Sequence, residues 1–397
     1  MHPTQTDTDS AYPMLEWQEG AVSHAVRWRS ENGAAPPKRV MVVDDTLTAD
    51  SAFRFASEGT ALLWRGDFNN ARQLLLALAR RIDKKPLKRK EREASAEGVS
   101  PSDVFNRHRQ LQSQRARTLG MILIELAADY QIALRRAPNL QEACTEVYGE
   151  PAADALASVV SLRELLGLIG AHEWRKKGVP VGAAGGNIHP YYGVFSPVRG
   201  EYVDLVNKAP IPAGCSVAWD IGTGTGVLAA VLARRGIEQV VATDNDARAL
   251  ACARSNLTQL GLSGRIDVLE TDLFPPGQAG LIVCNPPWIP ARPSTPVEHA
   301  IYDPESRMLK GFLAGLAAHL TPGGEGWLIM SDIAEHLGLR TRESLLADID
   351  AAGLTVLERR STKPTHARAS DENDPLHAAR SAEITTLWRL TCQPARK

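Results

Sequence analysis

The second half of the chain alternates short apolar runs with longer stretches whose apolar residues recur at helical spacing. Short apolar runs separated by helical segments are typical of parallel strands joined by helices. The pattern therefore predicts an α/β sheet of about seven strands, with helices near 305–320 and 340–352 among the connections. The predicted strands lie at 217–219, 239–243, 266–269, 281–284, 325–331, 354–360 and 384–390.

The first part of the chain has a less regular pattern. Residues 1–37 are polar, contain prolines and show no sustained period, which predicts a poorly ordered lead-in. Apolar runs predict strands at 40–43 and 61–64. Residues 70–82 have helical spacing, with Asn70 as the predicted cap.

Helices are predicted to fill most of the region that follows. A long helix is expected to begin at Ser102, which is a suitable cap, and to end before Pro138. Two more helices are predicted near 140–148 and 151–170. This part of the chain is therefore expected to be mixed α/β and mostly helical.

The predicted domain boundary follows from a change in composition. Residues 178–186 are rich in glycine, alanine and valine, which indicates a linker. Residues 362–380 are polar and predict a mobile loop before the last strand. The predicted organisation is a lead-in at 1–37, a first domain at 38–180 and an α/β domain at 181–397.

Composition and charge exclude several classes of protein. The apolar fraction of 44% is that of an ordinary globular protein, and a net charge of −1 argues against a surface that binds nucleic acid or membrane everywhere. No apolar run is long enough to span a membrane, and the N-terminus lacks a signal-peptide pattern, so a soluble, cytoplasmic protein is expected. The five cysteines lack CxxC spacing, so neither a disulfide framework nor a metal site is predicted.

The densest basic run lies between Arg81 and Arg92, and further arginines extend it to Arg117. Such a run is typical of a solvated linker or helix face. A patch that contacts RNA phosphates is the alternative, although aromatic residues for base stacking are nearly absent from the run. Both interpretations of the 81–117 region stay open.

A glycine-rich turn follows the first strand of the second half. Glycines alternate with other residues from Asp220 to Gly226, and a helical pattern begins at Val227. Alternate glycines let a ligand approach the backbone closely and accept unusual backbone angles. The GxGxG spacing differs from the GxGxxG of dinucleotide-binding turns.

Polar residues also end the next strands. Asp244 follows the second predicted strand, where a carboxylate can accept both ribose hydroxyls of a nucleoside. Asp272 and Leu273 follow the third strand and are placed to contact the edge and face of an adenine. Ligands of open α/β sheets bind at the carboxyl ends of the strands, so these residues predict one nucleoside site.

The fourth strand ends in Asn285-Pro286-Pro287-Trp288. Two prolines cannot continue a sheet, and the first restricts the backbone of Asn285. An asparagine side-chain oxygen and a backbone carbonyl provide two acceptors, which suit the two N–H donors of a flat amino group. Trp288 is predicted to stack on the plane that carries that group.

Residues from about 187 to 391 resemble the class I S-adenosylmethionine-dependent methyltransferases of the small methyltransferase domain group, and most of all the HemK-type protein-glutamine N5-methyltransferases. The resemblance implies a doubly wound seven-stranded sheet with an antiparallel last strand, and S-adenosylmethionine as the cofactor. It implies that the cofactor contacts are Asp220, Gly222, Thr223, Gly224, Gly226, Asp244, Asp272, Leu273 and Asn285. It implies that the catalytic residues are Asn285, Pro286, Pro287 and Trp288.

Two features depart from that family. Trp288 stands where those enzymes usually carry tyrosine, and about 180 preceding residues do not match their shorter helical domain. The predicted activity is methyl transfer to a planar amino nitrogen, with a protein glutamine side chain as the first acceptor. An exocyclic amine of RNA or DNA, such as adenine N6 or guanine N2, is the alternative. A non-enzymatic RNA- or ribosome-associated protein that retains the fold is a further alternative.

Two regions are assigned supporting roles. Residues 38–180 are expected to recognise the substrate. Tyr191, Tyr192 and Phe195 are expected either to form a lid that excludes water or to pack in the core. The sequence predicts no membrane contact and leaves the oligomeric state open.

Overall fold

The computed structural model describes residues 12–84, 98–151, 156–364, 371–372 and 374–393. The chain divides into two compact units. The first unit consists of Met1–Glu97 and Gln110–Gly170, and the second consists of Gly98–Arg109 and Ala171–Lys397. The division differs from the predicted boundary at 180, because the second unit begins earlier and also includes residues 98–109.

The first unit is built on a six-stranded sheet with the strand order β1-β2-β6-β5-β4-β3. Strands β3, β4 and β5 are parallel, whereas β1 pairs antiparallel with β2 and β6 pairs antiparallel with β5. The strands are β1 (Met14–Glu19), β2 (Val22–Arg29), β3 (Arg39–Val43), β4 (Thr60–Trp64), β5 (Ile122–Leu126) and β6 (Ser158–Ser161). The helices along this stretch of chain are α1 (Ala49–Ser57), α2 (Phe68–Lys84), α3 (Pro101–Leu119), α4 (Gln141–Tyr148) and α5 (Leu162–Lys177).

The prediction of a poorly ordered lead-in is wrong for the residues of β1 and β2. These strands form an antiparallel pair, and Leu15 and Trp17 of β1 are buried on one face. Trp28 of β2 joins the same core. Because successive side chains of a strand point to opposite faces, the buried residues of β1 are separated by polar ones, and the sequence shows no continuous apolar run there.

The first domain is mixed α/β with long helices, as predicted, but two of its predicted helices contain strands. Helix α3 ends at Leu119, and the apolar residues that follow form β5; the predicted helix at 151–170 contains β6. Both strands lie inside the sheet, so their residues form short continuous apolar runs that resemble part of a buried helix. Helix α2 begins before Asn70, because the Asp67 carboxylate accepts a hydrogen bond from the Asn69 backbone N–H at 2.9 Å.

Part of the basic region is visible in the first unit. Arg81 donates to Asp50 and Arg115 donates to Asp83, both at 2.9 Å, so these arginines pair with acidic side chains on the surface. Residues 85–97 lie outside the described part of the chain. An RNA-contacting role for the 81–117 region therefore stays a prediction.

The second unit contains the predicted seven-stranded sheet, in the order β11-β10-β9-β12-β13-β15-β14. The strands β9 to β13 run parallel to one another, and β15 runs antiparallel to both β13 and β14, which confirms the predicted fold class. The strands are β9 (Val217–Ile221), β10 (Gln239–Asp244), β11 (Ile266–Glu270), β12 (Ala279–Cys284), β13 (Leu320–Ser331), β14 (Leu354–Thr362) and β15 (Thr385–Cys392). The helices are α6 (Glu201–Lys208), α7 (Val227–Arg234), α8 (Ala247–Gln259), α9 (Arg307–His319), α10 (Ile333–His336), α11 (Arg342–Ala351) and α12 (His377–Ala382).

Helices cover both faces of this sheet. Successive residues of a strand point to opposite faces, and accordingly Ala218 belongs to one core cluster and Trp219 to another. Helices α6 and α7 bury their apolar sides in the first cluster, and α9 and α11 bury theirs in the second. With both faces covered, the strand ends are the positions at which polar groups reach a cavity.

One further prediction for this unit is wrong, and another differs from the structure only at its ends. The predicted linker at 178–186 forms a short hairpin of β7 (Val179–Val181) and β8 (Gly186–Ile188), whose apolar side chains join the core. The predicted loop at 362–380 includes the start of α12, although residues 365–370 and 373 lie outside the described part. In the part of the chain that the structure describes, no helix is both long and apolar enough to cross a membrane.

Candidate active site

A cavity of about 680 Å³ lies in the second unit where β9, β10, β11 and β12 end. Every residue predicted for the site lines this cavity except Gly226. Gly226 has a φ of +80° and precedes α7, and a side chain there would approach Ala253 to 3.3 Å. Gly226 therefore packs the turn against α8 and does not contact the cavity.

The Asp220 carboxylate supports the glycine-rich turn through hydrogen bonds. Its carboxylate is buried and accepts hydrogen bonds from the Thr223 hydroxyl at 2.6 Å and the Ala229 backbone N–H at 3.0 Å. Burial raises the pKa of Asp220 to about 6, although both hydrogen bonds oppose that rise. The side chain thus connects the end of β9 to the first turn of α7.

The glycines differ in what surrounds them. A side chain at Gly222 would lie 2.4 Å from the Met308 methyl group, whereas nothing lies within 4 Å of that position at Gly224. Both glycines have positive φ, which disfavours other residues. The buried Asp303 carboxylate accepts a hydrogen bond from the Met308 backbone N–H at 2.9 Å, which holds the Met308 backbone, whereas the methyl group is the end of a flexible side chain. The turn therefore presents bare backbone to the cavity at Gly224.

Asp244 bridges the turn and the next helix. Its two oxygens accept hydrogen bonds from the backbone N–H groups of Gly224 and Asp246, each at 3.0 Å. Burial raises the pKa of Asp244, and these backbone donors oppose the rise. Each carboxylate oxygen keeps a lone pair for a further donor, so Asp244 can still accept two hydroxyl groups.

The end of β11 is more exposed. Asp272 accepts from the Arg307 guanidinium at 2.6 Å, with 52% of the Asp272 side chain exposed. Leu273 has a φ of +69°, and its carbonyl accepts from the buried Thr243 hydroxyl at 2.7 Å. A leucine held in the left-handed region is strained, and such residues cluster at functional sites.

The Asn285–Trp288 turn contains a contact that was not predicted from the sequence. The Trp288 indole N–H donates to the Asn285 side-chain oxygen at 2.9 Å. Arg199 lies over the indole ring, with 5.2 Å between its guanidinium carbon and the ring centroid. Trp288 was predicted to stack on the substrate, and Arg199 occupies space on one face of its ring.

Several cavity residues were not predicted from the sequence. Phe105 is 2% exposed and packs edge-on against Tyr302, while Arg109 stacks on Tyr302 at 3.9 Å and donates to the Arg292 carbonyl at 2.7 Å. From the C-terminal end come residues 376, 380 and 383. The helical pattern that contains Phe105 was visible in the sequence, but nothing there indicated that Phe105 lines a site in the second unit, and Arg109 contacts Tyr302 without lining the cavity itself.

The predicted lid residues separate into two groups. Phe195 lines the cavity together with its neighbours Gly193 and Val194. Tyr191 instead packs near Cys252 and lies under the Arg175 guanidinium at 3.9 Å, and Tyr192 does not line the cavity. In the described ranges, no group of three or more His, Cys, Asp or Glu side chains is arranged to hold a metal ion.

Comparisons with known proteins match the part of the chain that forms this site. Residues 205–342 match the family model of the methyltransferase small domain. A release factor glutamine methyltransferase from Cereibacter sphaeroides is 38% identical over 138 residues, which are 34% of this chain and 46% of that protein. A ribosomal protein L11 methyltransferase from Pelotomaculum thermopropionicum is 34% identical over 158 residues, which are 39% of this chain and 42% of that protein.

Relatives with other named substrates match the same region. A tRNA1(Val) (adenine(37)-N6)-methyltransferase from Pedobacter heparinus is 35% identical over 118 residues, which are 28% of this chain and 50% of that protein. Among solved structures, a ribosomal protein L11 methylase from Lactobacillus delbrueckii aligns with 49% of this chain and 79% of its own, at 15% identity and a TM-score of 0.35.

The chain spans about half or less of the length of the curated relatives that it matches. The match with the family model nevertheless covers the glycine-rich turn and the Asn285–Trp288 turn, both of which were predicted from the sequence to form the site. Residues 205–342 are therefore similar to the methyltransferase small domain, and the predicted resemblance of this region to the S-adenosylmethionine-dependent methyltransferases is confirmed.

Proposed function

We propose that this protein transfers a methyl group from S-adenosylmethionine to a planar amino nitrogen. The observation that carries the proposal is that one cavity is lined both by the glycine-rich turn with Asp244 and by the Asn285–Trp288 turn. The first group suits a nucleoside cofactor, and the second suits a flat amino group. A methyl donor and its acceptor must meet in one such space.

The residues at the cofactor end fit S-adenosylmethionine. The open space at Gly224 lets a ligand contact the backbone, and the Asp244 carboxylate keeps lone pairs for ribose hydroxyls. Asp272 and Leu273 would lie toward the adenine. When bound, S-adenosylmethionine supplies an electrophilic methyl group.

The residues at the acceptor end orient the amino group. The nitrogen of a planar amino group is a weak nucleophile because its lone pair is delocalised. In the proposed mechanism the Asn285 side-chain oxygen and the Pro286 carbonyl accept its two hydrogens, which holds the nitrogen in position and stabilises the positive charge that develops on it. Aromatic and apolar walls, including Phe105 and Tyr302, would exclude water.

A protein glutamine side chain is the acceptor that we propose first. The relative named as a release factor glutamine methyltransferase has the highest identity among the relatives described above. An exocyclic amine of a nucleobase is the second candidate, and the relative named as a tRNA adenine N6-methyltransferase favours it. The aromatic rings of Phe105 and Tyr302 at the cavity would suit a base extruded from its strand.

Labelling distinguishes these candidates. The purified protein is incubated with cell lysate and tritiated S-adenosylmethionine, and the labelled products are treated with protease or nuclease. Label that is released by protease supports the glutamine acceptor, and label released by nuclease supports the nucleobase acceptor. The absence of any label above that of an Asn285→Ala control would contradict the proposed activity and favour the non-enzymatic alternative.

The basic region offers a second test of the acceptor. If the substrate is RNA, its binding should weaken steeply with salt, because phosphate contacts release counterions. Neutralising Lys84, Lys85 and Lys88 should then reduce both the affinity and the salt dependence. Glutamine methylation of a protein substrate should change little in the same variant.

A further inference from the structure

Trp288 is held in place by the residues around it. Its indole N–H donates to Asn285 Oδ1 at 2.9 Å, and its backbone carbonyl accepts from Arg340 at 3.3 Å. Its ring packs against buried residues of both faces of the sheet and of the cluster around Phe105. The indole therefore has a defined position before any substrate arrives.

The cation over the indole is also fixed. Arg199 donates to Glu201 at 2.8 Å and to Glu383 at 3.0 Å, and the Ser331 hydroxyl donates to the same Glu383 oxygen at 2.7 Å. Glu383 is 3% exposed. Arg199 thus has two carboxylate partners that keep its guanidinium over the Trp288 ring, where the attraction between cation and ring favours this arrangement.

This arrangement matters because an asparagine amide has two different ends. Its oxygen only accepts hydrogen bonds, whereas its nitrogen only donates them. The indole N–H is a donor, so it is satisfied by the oxygen and would oppose the nitrogen. The oxygen has two lone pairs, and the indole uses one of them. The second can accept an N–H of the acceptor amino group.

We propose that Trp288 is a positioning residue, whose indole N–H holds the Asn285 amide so that Oδ1, and not Nδ2, is offered to the acceptor. The inference rests on the proposed function, because it concerns the acceptor of that reaction. It also gives a chemical reason for tryptophan at this position, since a tyrosine would place its hydroxyl elsewhere and a phenylalanine has no donor. Acceptors that present N–H donors are selected over those that present only oxygen lone pairs.

The test removes the indole donor without changing the shape of the side chain. Trp288 is replaced by 3-benzothienylalanine, in which sulfur takes the place of the N–H group. Turnover is expected to fall by about tenfold with unchanged cofactor affinity, because one oriented hydrogen bond is lost. The same replacement at Trp327, whose indole N–H donates to Glu325 at 2.9 Å, is the matched control and should leave turnover unchanged. Wild-type turnover in the Trp288 analogue overturns the proposal.

The same Trp288 replacement in an Asn285→Asp variant distinguishes a positioning role of Trp288 from a packing role. Asn285→Asp places a carboxylate at this position, and its two oxygens are equivalent acceptors, so the orientation no longer depends on the indole. The loss caused by the Trp288 replacement should be at least threefold smaller in this background. An equal loss in both backgrounds means that the ring acts only by packing or stacking, and the proposal fails.

A third measurement does not depend on activity. The exchange of the Trp288 indole hydrogen with solvent is followed by NMR, and Asn285→Leu should accelerate it because the acceptor is removed. An unchanged exchange rate contradicts the hydrogen bond and therefore the proposal. If the wild-type protein transfers no methyl group to any amine, the proposed function fails, while this exchange measurement still decides whether Trp288 orients Asn285.

Discussion

The two sheets of this protein end their parallel strands in similar residues but use them differently. In the first unit, Asp44 and Asp45 follow β3, and Asp67 follows β4. Asp67 accepts from Arg135 at 3.0 Å and from Arg136 at 2.6 Å, and Asp45 accepts from the Asp67 backbone N–H at 3.0 Å. These acids are satisfied by neighbouring protein groups.

In the second unit, the acidic residues at the strand ends support the glycine-rich turn, whose backbone lines the cavity. Asp244 uses backbone N–H groups as partners, and Gly224 leaves open space beside them. In the first unit the corresponding space is filled, since a side chain at Gly66 would lie 2.5 Å from the Asp45 carboxylate. Acidic residues at strand ends are therefore insufficient evidence of a ligand site. The second unit differs from the first in the open space beside the backbone next to these residues.

The sharpest way to test the difference is to remove the Asn285 amide. Asn285→Ala should lower methyl transfer by on the order of 10²-fold or more, because an oriented acceptor at the reacting nitrogen is lost. Cofactor affinity should change far less than turnover, because Asn285 is only one of nine predicted cofactor contacts. Turnover and calorimetry measure the two quantities, and Asn70→Ala, an amide in the first unit that donates to Asp45, is the control. Unchanged turnover in the Asn285 variant would remove it from the catalytic residues.

The next largest effect is expected at the cofactor end. Asp244→Ala should weaken S-adenosylmethionine binding by roughly tenfold to a hundredfold, because the ribose contacts and the support of Gly224 are both lost. Asp44→Ala is the matched strand-end variant in the first unit, where the Asp44 carboxylate accepts from the backbone and the hydroxyl of Thr46. Calorimetry should detect weaker binding in the Asp244 variant alone. Equal affinities of the two variants for S-adenosylmethionine would contradict the proposal that the acidic strand end binds a ligand in the second unit but not in the first.

Asp67 should contribute to stability rather than to binding. The Arg136 guanidinium lowers the pKa of Asp67 from 3.8 to about 2, so its stabilising contribution is present above pH 4 and is lost as the pH falls toward 2. Asp67→Asn should lower the thermal unfolding midpoint by several degrees at pH 7, and the difference should shrink at pH 2. Asp50→Asn, in an exposed pair with Arg81, is the control and should change little. A pH-independent difference would argue against ionised Asp67 as the cause.

The smallest effect is expected at the exposed pair of Asp272 and Arg307. Arg307→Gln should change cofactor affinity by no more than a few-fold, because both side chains are more than half exposed and water screens their attraction. Raising the salt concentration should remove that difference. A change of tenfold or more, insensitive to salt, would show that this pair is part of the cofactor site in the way that Asp244 is proposed to be.

The fold of the second unit was predictable because its buried parallel strands form continuous apolar runs that end in polar residues. The cavity residues at those strand ends follow from the same pattern. Phe105 and Glu383 were not predictable, because each lies far along the chain from the glycine-rich turn and only the tertiary fold brings it to the cavity. In the first unit, β1 and β2 were missed because many of their side chains are polar and exposed, and β5 and β6 because short buried runs resemble part of a helix.

The assignment of residues 98–109 to the second unit has a practical consequence for producing that unit as a separate fragment. A fragment that begins at Ala171 would keep all strands of the seven-stranded sheet but would lack Phe105, leaving its partners Ile333, Leu337 and Leu376 uncovered. Such a fragment should be prone to aggregation, because it exposes an apolar surface that the intact chain covers. The second unit is thus not one continuous C-terminal stretch of the chain, and residues 98–109 are synthesised before the rest of the unit to which they belong.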